Sequence, residues 1–114
     1  MQIKIADFAY TIRMCDKDGN YKLIKEYVGT RCYCAPEITE EGDQYGDEVD
    51  IYALGATLLI MVLGQENLEY KQMRKTLWYK RKKFWKLFTK KLSSDFRNLI
   101  EQMLAYDAED RCSL

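Results

Sequence analysis

Val28-Gly29-Thr30-Arg31-Cys32-Tyr33-Cys34-Ala35-Pro36-Glu37 is the stretch whose reading decides the fold. Pro36 is the single proline of the chain, and its ring keeps the residue before it, Ala35, out of the helical region. Residues 21–34 lean toward extended structure, and ahead of them Asp16-Lys17-Asp18-Gly19-Asn20 forms a turn cluster. A calcium loop is excluded there, because the acidic spacing is wrong and Tyr27 stands where the twelfth-residue Glu belongs. Further upstream, Ile3 and Ile5 alternate with Gln2 and Lys4, the period of a short strand, and lead into Asp7-Phe8-Ala9.

Downstream, residues 39–47 are acidic and glycine-bearing and read as a loop. From Asp47 or Glu48 to Leu63 the pattern predicts an apolar helix, with Gly64 as its C-terminal stop. The final helix has Ser93 or Ser94 as its cap and Asp95 in the first turn. Phe96, Leu99, Ile100, Met103 and Leu104 recur on one face. Between the two lie residues 71–91, with ten Lys or Arg, no acid, and Trp78, Tyr79, Phe84, Trp85 and Phe88 interleaved.

Composition narrows the classes. A chain of 114 residues, 47% hydrophobic with 13% aromatics, is one globular domain at most. The net charge of zero conceals 6 basic and 11 acidic groups in residues 1–57, against 12 and 7 in residues 58–114. Such a dipolar chain exerts no overall pull on nucleic acid. Met1 leads into Gln2-Ile3-Lys4-Ile5 with no apolar signal region. The run from Ile51 to Leu63 has 13 uncharged residues before Gly64, too short for a transmembrane segment. The cysteines at 15, 32, 34 and 112 form no Cys-x-x-Cys pair, and without secretory features they are expected to be reduced thiols in a cytoplasmic protein. With no histidine, Ser-His-Asp and Cys-His catalytic pairs are excluded.

Four segments in order carry a family resemblance. Lys4-Ile5-Ala6-Asp7-Phe8-Ala9 resembles the Asp-Phe-Gly magnesium motif of protein kinases and its preceding strand. Val28 to Glu37 resembles Gly-Thr-x-x-Tyr-x-Ala-Pro-Glu, the end of a serine/threonine kinase activation segment. Tyr45-Gly46-Asp47-Glu48-Val49-Asp50-Ile51-Tyr52-Ala53-Leu54-Gly55 is similar to the start of the central buried helix, and Phe96 to Arg111 to the later helix and the loop ending in Arg. Phe84-Trp85 and Leu104 to Arg111 also resemble calcium/calmodulin-dependent-type kinases. The resemblance covers nearly the whole chain.

It implies a mainly α fold: a truncated helical C-lobe of the protein-kinase-like fold, with short strand pieces at the N-terminus. Within a partial kinase domain over 1–114, residues 3–37 would hold the magnesium loop and activation segment, 47–64 the central helix and 71–114 the later helices. Asp7 would be the metal ligand on the Mg2+ that bridges the ATP phosphates. Phe8 would set active or inactive geometry, Thr30 would line the substrate hydroxyl site, and Tyr33 would support that loop. Glu37 and Arg111 would form a semi-buried ion pair, and Asp50 would anchor the catalytic loop. Ala9 replaces the family Gly, which would restrict switching of this segment. Glu26, four residues before Thr30, stands about where relatives carry a phosphorylated Thr; it is either a partial mimic of that phosphate or a plain exposed Glu.

The glycine-rich loop, the strand lysine and the His-Arg-Asp catalytic loop that phosphoryl transfer requires are absent from this chain. The isolated chain is therefore expected to be inactive, with no catalytic residue present. Its apolar central helix would also lack neighbours, leaving the fold marginal or dependent on a partner. Two functional readings follow. One is part of a serine/threonine kinase, with a protein substrate and the missing kinase half as partners. The other is a non-catalytic pseudokinase-like module that binds another kinase or a substrate. A third rests on residues 71–91, which would bind calmodulin, an anionic membrane or acidic phosphates; the plainer alternative is a solvated basic face.

Overall fold

Pro36, preset to a helical φ and needing no N–H partner at a helix start, opens the short helix α1 (Pro36–Thr39) in the computed structural model of the chain. That structure describes residues 2–39, 44–63 and 92–113. Helix α2 spans Glu48–Leu63, with Glu48 and Asp50 in its first turn, where carboxylates suit the positive end of the helix dipole. Helix α3 spans Ser94–Met103. Its cap is Ser93, whose hydroxyl accepts from the Phe96 amide at 3.2 Å and so satisfies one otherwise unpaired donor of the first turn. A 3-10 turn, Ala108–Asp110, follows and presents Arg111.

The core lies where α2 crosses α3. Ala35, Tyr52, Ala56, Leu59, Ile100 and Leu104 form its buried cluster. Gly55 makes the close approach possible: a β-carbon there would stand 2.8 Å from Cβ of Met103 and 3.2 Å from Cγ of Leu104. The opposite side of α2 remains apolar but uncovered, with Met61 75% exposed. No helix among the described residues is long and apolar enough to cross a membrane.

Three expectations are corrected. No strand forms at residues 3–5, and no sheet occurs among the described residues. Ile3 and Ile5 are 87% and 86% exposed; alternation alone makes no strand without a neighbouring chain to pair with. The extended reading of residues 21–34 reduces to isolated antiparallel bridges, Cys15 with Tyr21 and Ile24 with Tyr45, followed by a turn in which the Tyr33 amide donates to Thr30 O at 2.9 Å. On α3, Ile100 and Met103 are buried, but Leu99, on the predicted apolar face, is exposed. The Asp16–Asn20 cluster does form a turn: an Asp16 Oδ1 oxygen accepts from the Asp18 and Asn20 amides, each at 2.8 Å. Gly64, the acidic residues 40–43 and the basic stretch 71–91 lie outside the described residues.

Candidate functional site

Two adjoining features hold most of the residues singled out in the sequence. The first is the junction between Glu37 in the first turn of α1 and Arg111 after the 3-10 turn. The Arg111 guanidinium donates to both carboxylate oxygens of Glu37, at 2.5 and 2.8 Å. It also donates to the carbonyls of Ala105 at 2.9 Å, Glu48 at 3.2 Å and Tyr106 at 2.9 Å. These five contacts match the five N–H donors of a guanidinium. The Arg111 side chain is fully buried and that of Glu37 is 16% exposed. The guanidinium carbon also lies 5.1 Å from the ring centre of Tyr52, within cation–π range. One side chain thus ties α1, the start of α2 and the loop after α3 together.

The second feature is a cavity of about 480 Å³ beside the N-terminal part of α2. Asp7, Ala9, Thr30, Tyr33 and Asp50 all line it. Phe8 does not, and its ring is exposed. Asp7 is the one non-glycine residue with positive φ among those described, at 63°; Asp tolerates that left-handed region better than most residues. Ala9 lies outside it, so its β-carbon is accommodated in this conformation, and the unusual backbone falls on Asp7 instead. Gly29, at φ 103°, turns the chain before Thr30. The Thr30 carbonyl then accepts from the Tyr33 amide at 2.9 Å and from the Cys34 thiol at 3.3 Å. Asp50, in the first turn of α2, is exposed on the cavity wall.

The described lining carries four carboxylates, Asp7, Glu26, Asp47 and Asp50, and no Lys or Arg, so its field favours cationic occupants. No group of three metal-ligating side chains gathers among the described residues. Asp7 alone fits a magnesium site of the kind that takes one or two carboxylates and completes its shell with phosphate and water oxygens.

Sequence reading missed the residues that frame one wall. The Tyr21 hydroxyl donates to Asp47 Oδ1 at 2.5 Å and accepts from the Asp47 amide at 3.0 Å. Bonding to that carboxylate holds the Tyr21 phenol above the ordinary tyrosine range. Tyr45, buried, donates from its hydroxyl to Glu26 O at 2.6 Å; burial raises its phenol as well. No local pattern announces a bond between residues 26 positions apart. The only signal was Asp47 at the edge of a predicted helix.

Comparison with known proteins matches residues 1–114 to the protein kinase domain model. The chain is 31% identical over 114 residues to the serine/threonine-protein kinase ppk25 of Schizosaccharomyces pombe, covering 99% of this chain and 26% of ppk25. It is 31% identical over 117 residues to the probable serine/threonine-protein kinase CCRP1 of Zea mays, covering 100% of this chain and 18% of that one. To the human testis-specific serine/threonine-protein kinase 1 it is 32% identical over 112 residues, 96% of this chain and 30% of that one. The chain therefore spans less than a third of each of these relatives. No solved structure matched.

Proposed function

The chain belongs to the protein kinase domain family, and from that premise we propose that it is the helical C-lobe portion of a serine/threonine kinase domain, serving phosphoryl transfer from ATP to hydroxyls of a protein substrate. The observation that carries this reading is the bidentate Glu37–Arg111 pair. It locks the Ala35-Pro36-Glu37 segment onto α2 and so holds the Thr30–Tyr33 turn at the cavity. In this reading Asp7 holds the magnesium ion, which would supply charge neutralisation on the phosphates. Thr30 lines the place of the substrate hydroxyl, Tyr33 braces that turn from beneath, and Asp50 anchors the catalytic loop. The acidic wall would favour substrates with basic residues near the target hydroxyl.

The sequence of this chain contains no Val-Ala-Ile-Lys and, having no histidine, no His-Arg-Asp, so on this reading the chain alone is catalytically silent. The test is a chimera in which this chain replaces the matching portion of ppk25, beside the chain by itself. Phosphate transfer from ATP to a serine-containing protein is expected from the chimera and not from the chain alone. Asp7→Asn should abolish transfer in the chimera. An active D7N chimera would remove Asp7 from its role, and transfer by the chain alone would overturn its silence.

A second reading, a non-catalytic binding module of the same family, is favoured by one observation. Ile3, Ile5 and Phe8 leave a large apolar surface open at the N-terminal end, which another polypeptide could cover. A silent, stably folded chimera would favour it.

A further inference from the structure

Of the four cysteines only Cys34 is buried. It lines the cavity, and the phosphoryl-transfer reading gives it no task. Its sulfur stands 3.3 Å from the Thr30 carbonyl oxygen and 3.6 Å from that of Val28, so the one proton of the thiol is directed back into the turn that carries Thr30. Gly29, between those two residues, turns at φ 103°, a left-handed conformation that glycine adopts without penalty. A β-carbon on Gly29 would stand 3.3 Å from the Cys34 sulfur, so the thiol sits against the side that glycine leaves bare. The Thr30 carbonyl also receives the Tyr33 amide at 2.9 Å, and a single oxygen thus gathers two donors from the far end of the turn.

We infer that Cys34 is a positioning residue: its thiol, donating to the Thr30 and Val28 carbonyls, fixes the backbone on either side of Gly29 and so sets where Thr30 stands on the cavity wall. The chemistry of the side chain is what matters, not only its bulk. Valine would fill a similar volume but donate nothing, leaving both carbonyls without the thiol. Serine keeps a donor on the same γ atom, and a hydroxyl donates more strongly than a thiol. That this placement serves a substrate hydroxyl rests on the phosphoryl-transfer reading; the placement itself does not.

The experiment compares the full chain with Cys34→Ser and Cys34→Val. The S–H stretching band that Cys34→Ser removes from the infrared spectrum is expected at lower frequency than the band of exposed Cys15, which Cys15→Ser identifies. Hydrogen exchange at the Tyr33 amide is read as a ratio to exchange at the Leu104 amide, which donates to Ile100 O in the core, so that any general loss of stability cancels. Cys34→Val should raise that ratio about threefold, the worth of one weak hydrogen bond, and Cys34→Ser should leave it at the parent value. In the ppk25 chimera, Cys34→Val should lower kcat by a similar factor with KM for ATP unchanged, and Cys34→Ser should restore it. The inference is overturned by a Cys34 band at or above that of Cys15, by an unchanged exchange ratio in C34V, by a ratio in C34S as high as in C34V, or by an active chimera whose kcat ignores Cys34→Val. A silent parent chimera counts against the phosphoryl-transfer reading alone, and the band and the exchange ratio then decide the placement.

Discussion

Arg111 is the residue on which most of the described structure converges, and its energetics follow from where its donors go. Removing the guanidinium, as in Arg111→Met, would leave the Glu37 carboxylate semi-buried without its cation and the carbonyls of Ala105, Glu48 and Tyr106 without that donor. Breaking a buried pair from one side costs roughly 3–5 kcal/mol, and urea unfolding of R111M should show a loss of that size. Glu37→Gln keeps one acceptor oxygen and should lose less, about 1.5–3 kcal/mol, the range for hydrogen bonds to charged groups. Swapping the two charges should not rescue the fold, since a Glu at 111 cannot donate to three carbonyls. Tyr21 gives a prediction in pH. Its hydroxyl must stay neutral to donate to Asp47, so its folded ionisation lies above the ordinary value of 10.0. A raised value favours the protonated form in the fold; the stability it contributes is full below pH 10 and lost as pH rises through the folded value. Unfolding midpoints should fall as pH rises above 10.0, and the fall should be smaller in Y21F and D47N; an identical fall in all three would exclude Tyr21 as its source.

At the scale of elements, the crossing of α2 and α3 depends on an absent side chain. Gly55→Ala should raise intrinsic helix propensity by roughly 1 kcal/mol, yet its β-carbon meets the Met103 β-carbon at 2.8 Å, an atom no rotamer change can move. Overpacking of about 1–3 kcal/mol should win, and thermal unfolding of G55A is expected to show net destabilisation. The same crossing shows what was legible beforehand. Ser93 as a cap and Asp47 or Glu48 as a helix start are local chemistry, readable within four residues, and α3 and α2 begin where those signals stand. The strand expected at Ile3 and Ile5 failed because pairing is a property of two segments, and period-two alternation speaks for only one. Leu99 shares the periodicity of Ile100 and Met103 but not their burial, since a sequence pattern marks an apolar face without saying how much of it a neighbour covers. The cavity gathers Asp7, Ala9, Thr30, Tyr33 and Asp50, residues picked by resemblance rather than by physics. The bonds that hold its wall, Tyr21 to Asp47 and Tyr45 to Glu26, were invisible because long-range hydrogen bonds leave no periodic trace.

For the whole molecule, apolar exposure and charge balance compete to set behaviour in solution. Ile3, Ile5 and Met61 are each at least three-quarters exposed, and a net charge of zero gives no long-range repulsion to keep copies apart. The two halves, at −5 and +5 by count, could also draw copies together head to tail. Salt separates the two causes. At about 0.15 M ionic strength the screening length is about 8 Å, which weakens contacts between exposed charges but leaves apolar contacts intact. Side chains so exposed contribute little to the fold, so Ile5→Lys and Met61→Lys should each change stability by less than about 0.5 kcal/mol. Light scattering of the parent chain is therefore expected to show association that persists at that salt and falls severalfold in the doubly substituted chain. If salt alone disperses the parent, the opposed charges of the halves are the cause, and the exposed apolar residues are not a binding surface.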